Sequence, residues 1–482
     1  MLQRTATWLK RAAILLVLAA LMLLTLRVIL TERGPDLAPW HTFVPDELST
    51  GQLDRSDWAR YLTEEAKIFA EVEKNVTDRL TDEGQDVYNR YARRSPVWPG
   101  HFATDWNHSY LLLPDGQPKG VAVLLHGLTD SPYSLRHFAL DYQQQGWAVV
   151  AIRLPGHGTV PGSLTDTDWE QWLAATRLAV REARSQVPAP APLQLIGFSN
   201  GGALAMKYTL DALEDASLPR PQRLILISPM IGVSSYARYA GLAGLPSLLP
   251  AFARSAWLSI LPEFNPFKYN SFPVKAARQS WLLTSALQSQ LHQQASSGLL
   301  AALPPVLTFQ SVADATVSTP AVVRGLYNLL PNNGSELVLF DVNQSVRLAP
   351  LMRSSARNES ERLLPPAPRN YTTSLVTSAS PEDSSVVVEV TPASSTTTQT
   401  ETLNMRWPAE IYSLSHVALP FPPQDPLYGS TPDSPGEYGL SLGMLTPRGE
   451  RSVLVVSLDM LMRQSSNPFF DWMMGRVKQT RE

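Results

Sequence analysis

Three hydrophobic patterns run along this 482-residue chain. The first is continuous: AAILLVLAALMLLT from Ala12 to Thr25, then Leu26, Arg27 and Val28-Ile29-Leu30. As a helix, residues 12–30 rise about 28 Å, the thickness of a hydrocarbon core. Arg27 stands close enough to the far end to reach the interface. The preceding flank carries Arg4, Lys10 and Arg11 and no acid, which places the N-terminus in the cytosol. Residues 1–31 are therefore expected to be a single-pass anchor with the rest of the chain on the periplasmic or extracellular side. A cleaved signal peptide, giving a secreted protein, is the alternative. No small-x-small cleavage site follows in TLRVILTERGPD.

The second pattern is alternation. Short apolar runs predict strands in NHSYLLLP, KGVAVLLHG, WAVVAIRLPGHG, LQLIGFS, RLILISP, PPVLTFQSVAD and SELVLFDVN. Amphipathic segments predict helices between them, in SPYSLRHFALDYQQQG, DTDWEQWLAATRLAVREARSQ, NGGALAMKYTLDAL and TPAVVRGLYNLL. Runs of Val, Ile and Leu without polar alternation suit parallel strands covered on both faces. Repeated β–α units predict an α/β fold, a mostly parallel doubly wound sheet, over residues 105–345 and 405–482.

The third pattern is interruption. Residues 32–104 are mixed, with a helical stretch around 54–80 that carries Trp58, Tyr61, Leu62, Ile68 and Phe69. They read as a stalk or an N-terminal extension packed on the main domain. Residues 230–300, rich in Leu, Ala, Pro, Tyr and Trp, read as a helical cap above the C-terminal edge of the sheet, where open α/β folds bind ligands. Residues 346–404 are dominated by Ser and Thr and read as a flexible surface insertion, with a strand or hairpin at VVVEV as the alternative. On that reading, replacing residues 348–400 by a short linker spares both folding and activity.

Composition narrows the function. Charged residues make up 17% and the net charge is −3, so no basic field exists for nucleic acid. The absence of cysteine excludes disulfides, cysteine nucleophiles and cysteine-ligated metals. The histidines show no shared acidic partners in sequence and no phosphate loop is present, so neither a metal nor a cofactor is called for.

The sharpest local signal is Gly197-Phe198-Ser199-Asn200-Gly201-Gly202, between a predicted strand and a predicted helix. A serine on such an elbow projects its hydroxyl above the sheet, and the flanking glycines make room for the turn. The hydroxyl needs a base, usually histidine, and in this arrangement the acid and then the histidine follow the serine. Only His292 and His416 of the eight histidines follow Ser199. His292 lies in the cap region, whereas His416 follows the last predicted core strand. Asp314, just past a buried strand, is the candidate acid; Asp341, one strand later, is its alternative. Backbone N–H groups of Asn200 and Leu128 are the candidate oxyanion donors. His126 reads as a residue that shapes the Leu128 loop.

These residues resemble the α/β-hydrolase superfamily, and within it bacterial carboxylesterases and monoacylglycerol lipases. The matching stretches are LLHGLTDSP, RLPGHGTVPGSL, DTDWEQW, GFSNGG, VADATV and SHV. The resemblance implies Ser199 as nucleophile, Asp314 as acid, His416 as base, Leu128 and Asn200 as oxyanion donors and residues 230–300 as the cap. It implies hydrolysis of a small-molecule or lipid ester. Thioesterase, acyltransferase and aminopeptidase chemistry on the same fold, or a silent membrane-tethered binding protein, are the alternatives. Two features depart from the family: the 102-residue spacing from Asp314 to His416, and the anchor.

Overall fold

A computed structural model describes the chain except residues 1, 82–86, 234–239, 346–351, 354–358, 447, 449–453, 455 and 482. Its strands are β1 (Tyr110–Leu112), β2 (Val121–Leu125), β3 (Ala148–Ile152), β4 (Leu193–Phe198), β5 (Arg223–Ile227), β6 (Trp257–Ser259), β7 (Phe272–Pro273), β8 (Val306–Ser311), β9 (Glu336–Phe340), β10 (Thr372–Ser380), β11 (Asp383–Thr391) and β12 (Gln399–Arg406). Strands β6 and β7 form a separate small ribbon. The other ten make one sheet in the order β1-β3-β2-β4-β5-β8-β9-β10-β11-β12. From β3 to β10 every neighbouring pair is parallel; β1, β11 and β12 run antiparallel to their neighbours.

The period of two along each strand divides the core into two layers. Val121, Val123, Leu125, Leu193, Leu195, Leu224 and Leu226 face one way, toward the helices Trp169–Gln186, Asn200–Glu214 and Val274–Ser297. Ala122, Leu124, Ile196, Phe198, Ile225 and Ile227 face the other, toward the helices Arg136–Gln144 and Phe470–Gln479. Both faces are thus covered, as the unbroken apolar runs require. Asp168 starts its helix with a capping box in which Gln171 Oε1 accepts the Asp168 N–H at 2.8 Å.

Two expectations change. Residues 372–406 are a continuation of the sheet rather than a loose insertion: β10 pairs with β9 in register, and β11 and β12 follow as a meander. Val376, Val386 and Val388 are buried in the second layer with Trp407 and Phe469. The many Ser and Thr positions suit strand conformation, since β-branched and hydroxyl side chains fit a half-exposed pleated surface. The cap is also shorter than residues 230–300. Leu283, Leu287 and Leu291 of the helix Val274–Ser297 lie in the main core, and Gln294 Nε2 bonds the Leu210 carbonyl of the helix Asn200–Glu214 at 2.9 Å. That helix belongs to the sheet's cover.

Of the two readings of residues 32–104, a stalk or an extension packed on the main domain, the structure has the second. Leu48, Leu53, Trp58 and Tyr61 join the main core. Fully buried Arg153, just past β3, takes Glu47 through two bonds of 2.7 and 3.1 Å and Glu65 through one of 3.0 Å. A guanidinium held by two carboxylates satisfies a charge that burial otherwise penalises. The extension thereby pins the 153–158 turn.

One helix among the described residues, Trp8–Glu32, is long and apolar enough to cross a membrane. Its last turn meets the cap: the Arg27 guanidinium donates to the Trp257 carbonyl, and Thr31 Oγ1 lies 3.2 Å from Ser255 Oγ.

Candidate active site

Ser199 stands between β4 and the helix Asn200–Glu214 with φ 54° and ψ −114°. A non-glycine residue at positive φ is strained and persists only where its surroundings dictate it. They do so here through close backbone approach. A Cβ on Gly201 would lie 1.9 Å from the Leu125 carbonyl oxygen, and one on Gly197 would lie 2.4 Å from the Gly201 carbonyl oxygen. The Ser199 N–H bonds the Ile227 carbonyl at 3.0 Å, and the Ser199 carbonyl accepts from Met230 N–H at 2.9 Å, so β5 fixes the elbow on both sides.

The loop after β2 leans on this elbow. A Cβ on Gly127 would be 3.3 Å from Ser199 Cβ, which brings the Gly127–Leu128 backbone beside the serine. Thr129 sits at φ 63°, and its carbonyl accepts from Tyr269 N–H of the cap at 2.7 Å. The N–H groups of Leu128 and Asn200 meet no acceptor among the described residues. His126 holds this loop from behind: its Nε2 accepts the Leu154 N–H at 3.0 Å, which leaves Nδ1 to donate to the Gly127 carbonyl at 2.9 Å. Burial, with His157 beside it, pushes His126 well below the ordinary imidazole range. It is a neutral brace, as its place upstream of the serine suggested.

His416 is buried, with its ring 5.2 Å from that of Phe198, the residue before the serine. Its Nδ1 is 2.9 Å from Asp314 Oδ2. The other Asp314 oxygen accepts the N–H groups of Thr316 at 2.8 Å and Val317 at 3.0 Å, and Gln310 Nε2 donates to Oδ2 at 3.0 Å. Burial pushes the Asp314 carboxyl up, but the charge and hydrogen bond of His416 and the two amides outweigh it and hold Asp314 below its usual value. The cap of the helix that follows Asp314 is Ser318, not Asp314.

The remaining candidates lie apart from this pair. Asp341 is buried beyond β9 and accepts from Thr377 Oγ1 of β10 at 3.1 Å. Burial pushes its carboxyl up to about 6. His292 is exposed on the helix Val274–Ser297, with Nδ1 2.8 Å from the Gln288 carbonyl.

Sequence reasoning missed what holds the His416 loop. Ser311 Oγ donates to the Leu414 carbonyl at 2.8 Å. Asn343, just past β9, gives its N–H to the Tyr412 carbonyl at 2.9 Å and its Nδ2 to the Ile411 carbonyl at 3.0 Å. Downstream, fully buried Asp425 accepts from Arg136 at 2.7 Å, His137 at 2.9 Å and Tyr133 at 3.1 Å. These residues flank the oxyanion loop, so one carboxylate ties the two loops together. His416 lines a cavity of about 270 Å³ with Ala313, Tyr412 and Met462, among others; a second of about 160 Å³, reached by Val417, is lined by Phe264, Leu442 and Met460 together with Asn265, Lys268, Asn270 and Arg463.

No group of three or more metal-ligating side chains occurs among the described residues. A mostly parallel, helix-covered sheet with a strained serine between β4 and the helix that follows it is the α/β-hydrolase fold. The family profile described as serine aminopeptidase, S33, matches residues 116–341. A thermostable monoacylglycerol lipase from Bacillus sp. (strain H-257) is 32% identical over 89 residues, 18% of this chain. The match spans 34% of that enzyme's length. Among solved structures, the monoacylglycerol lipase of Paleococcus ferrophilus is similar at 18% identity and TM-score 0.35, covering 48% of this chain and 87% of the other. Est1E of Butyrivibrio proteoclasticus, solved with ferulic acid, is similar at 20% identity and TM-score 0.34, covering 48% and 84%.

Proposed function

We propose that the protein is a membrane-anchored serine ester hydrolase with Ser199 as nucleophile, His416 as base, Asp314 as acid and the amides of Leu128 and Asn200 as oxyanion donors. The observation that carries this reading is the 2.9 Å bond between Asp314 and His416, with the imidazole packed on the residue before a strained serine. Ser199 Oγ attacks the ester carbonyl and His416 Nε2 takes its proton. Asp314 accepts the Nδ1–H, fixes the tautomer and stabilises the imidazolium. The charge on the carbonyl oxygen falls to the two amides, and Asn200 adds the positive end of its helix. The carbonyl–alkoxy bond then breaks and His416 returns the proton to the leaving alcohol. Water deprotonated by His416 opens the acyl-enzyme and releases the acid. The apolar helix Trp8–Glu32 favours a lipid ester met at a membrane, with the catalytic domain on the non-cytoplasmic side.

The profile match favours aminopeptidase activity as a second reading. Such an enzyme needs a carboxylate for the substrate's amine. Glu263 of the cap is already taken by the N–H groups of Asn270 at 2.9 Å and Ser271 at 2.8 Å, which weighs for the ester. Parallel assays on p-nitrophenyl esters of increasing chain length and on aminoacyl p-nitroanilides test the choice. Ester turnover at least tenfold above amide turnover is expected; the reverse ranking replaces esterase by peptidase.

A further inference from the structure

The last turn of the apolar helix is fixed to the cap at a level that has a consequence for the cap itself. The apolar stretch ends at Leu30. Arg27, bonded to the Trp257 carbonyl, lies three residues earlier, about 4.5 Å up the helix axis. Thr31 meets Ser255, and Arg254 reaches the Glu32 carbonyl at 2.8 Å and the Asp36 carboxylate. The cap segment 254–257 therefore overlaps the final turn of the membrane-spanning stretch instead of hanging below it. That segment belongs to the turn Pro250–Ala256, which packs against Leu245–Leu248. Here the surface is unusual: Leu242, Leu245, Leu248, Leu249 and Leu258 are all exposed, Leu248 at 79%. Leu26, Ile29 and Leu30 of the helix are exposed beside them. Scattered exposed leucines need no explanation, but a contiguous set at one edge does.

We propose that the leucine edge of the cap, residues 242–258, inserts into the interfacial layer of the bilayer that the Trp8–Glu32 helix crosses. The enzyme then has two membrane contacts, a spanning helix and a shallow cap wedge. The occupant is lipid because the patch is continuous with the lipid-facing surface of the helix and shares its depth. The wedge fixes orientation: the cap that bonds Thr129 of the candidate oxyanion loop through Tyr269 faces the membrane, so a lipid ester reaches the site without crossing water. This last consequence rests on the ester-hydrolase reading; the insertion rests only on the helix Trp8–Glu32 being a membrane anchor.

The chain has no cysteine, so a single introduced one reports one position. Full-length Leu245→Cys and Leu248→Cys variants, labelled with an environment-sensitive fluorophore and reconstituted in phosphatidylcholine vesicles, are compared with Leu113→Cys. Leu113 lies past β1, at the far end of the sheet from the cap, and is also exposed. Lipids spin-labelled near the headgroup are expected to quench positions 245 and 248 at least threefold more than position 113. Equal quenching at the three positions overturns the proposal. A label at 248 shielded from both lipid quencher and aqueous iodide marks a protein partner, such as a second copy, and overturns it too. A Leu245→Glu/Leu248→Glu/Leu249→Glu variant is expected to lose tenfold or more of its turnover on a vesicle-embedded ester. It should hydrolyse a soluble short-chain ester within twofold of the parent. Depth-dependent quenching without turnover of either ester leaves the wedge standing and removes the ester-hydrolase reading.

Discussion

Residues 193–202 and residues 335–425 each deliver one half of the candidate catalytic apparatus, by opposite means. The serine elbow is local: one strand, one strained residue and three glycines that let the helix start against the neighbouring backbone. The histidine loop is assembled from a distance. Its position depends on Ser311 at the end of β8, Asn343 after β9, the sheet edge β10–β12 and Asp425 bound to the helix start at Arg136. Placement of the candidate nucleophile therefore rests on ten residues and their contacts with β2 and β5, while placement of the candidate base draws on most of the fold. The 102-residue spacing from Asp314 to His416 is accommodated by the strands β9–β12, which return the chain to the edge of the site in a fixed register.

The largest expected effect breaks the second region. Removing residues 372–406 exposes the edge of β9, takes away buried Val376, Val386 and Val388 and uncovers Trp407. At about 1.5–3 kcal/mol per side chain the loss over these four is about 6–12 kcal/mol, comparable with the whole stability of a domain. The expected outcome of the excision is loss of the cooperative thermal transition; a folded product with a normal melting profile contradicts the account. The linker replacement of residues 348–400 that the Ser/Thr composition suggested is expected to fail for the same reason.

Ser199→Ala touches only the first region. It is expected to lower ester turnover by about 10⁴–10⁶-fold while the melting temperature stays within a few degrees. Retention of more than a few per cent of activity in the purified variant moves the nucleophile elsewhere.

Next in size is the bond that joins the two regions. Asp314→Asn is expected to cut kcat by about 10³–10⁴-fold with the fold intact, because the amide favours the wrong imidazole tautomer. Asp341→Asn should leave kcat within about threefold. The opposite ranking transfers the acid to β9.

The smallest effect separates stability from catalysis at Asp341. Its folded-state value near 6 lies above the ordinary 3.8, so the fold prefers the neutral acid. Its contribution is fully present below about pH 4 and is lost as pH rises through 6. The loss at neutral pH is about 2–3 kcal/mol. Asp341→Asn is expected to raise the melting temperature at pH 8 and to change it little at pH 4; equal shifts at both pH values contradict the assignment.

Legibility in the sequence follows the same division. The elbow, the core strands up to β9 and the helices between them were readable because each is a local pattern: unbroken Val/Ile/Leu runs, amphipathic spacing, glycines around a serine. The order serine, aspartate, histidine selected Asp314 and His416, and the structure brings these two into contact. The strands β10–β12 were read as an insertion because Ser and Thr dominate them, and only the register with β9 and the partners Trp407 and Phe469 reveal their buried face. The cap was drawn too wide because the whole stretch 230–300, rich in Leu, Ala, Pro, Tyr and Trp, breaks the strand–helix rhythm, and nothing local separates the helix Val274–Ser297 from the rest of it. Its burial depends on side-chain bonds to the helix Asn200–Glu214, such as Gln290 to Asp211 at 3.0 Å. The Arg153 and Asp425 clusters join residues 88 or more positions apart and leave no local signature.

The central claim is that the strained serine and the distant histidine act as one unit. A fluorophosphonate reacts only with a serine whose proton is removed as it attacks, so mapping its adduct by peptide mass spectrometry tests that unit directly. The account predicts one adduct, on the peptide carrying Ser199, absent in Ser199→Ala and formed at least a hundredfold more slowly in His416→Gln. An adduct on another residue, or labelling of Ser199 at an unchanged rate in His416→Gln, contradicts it.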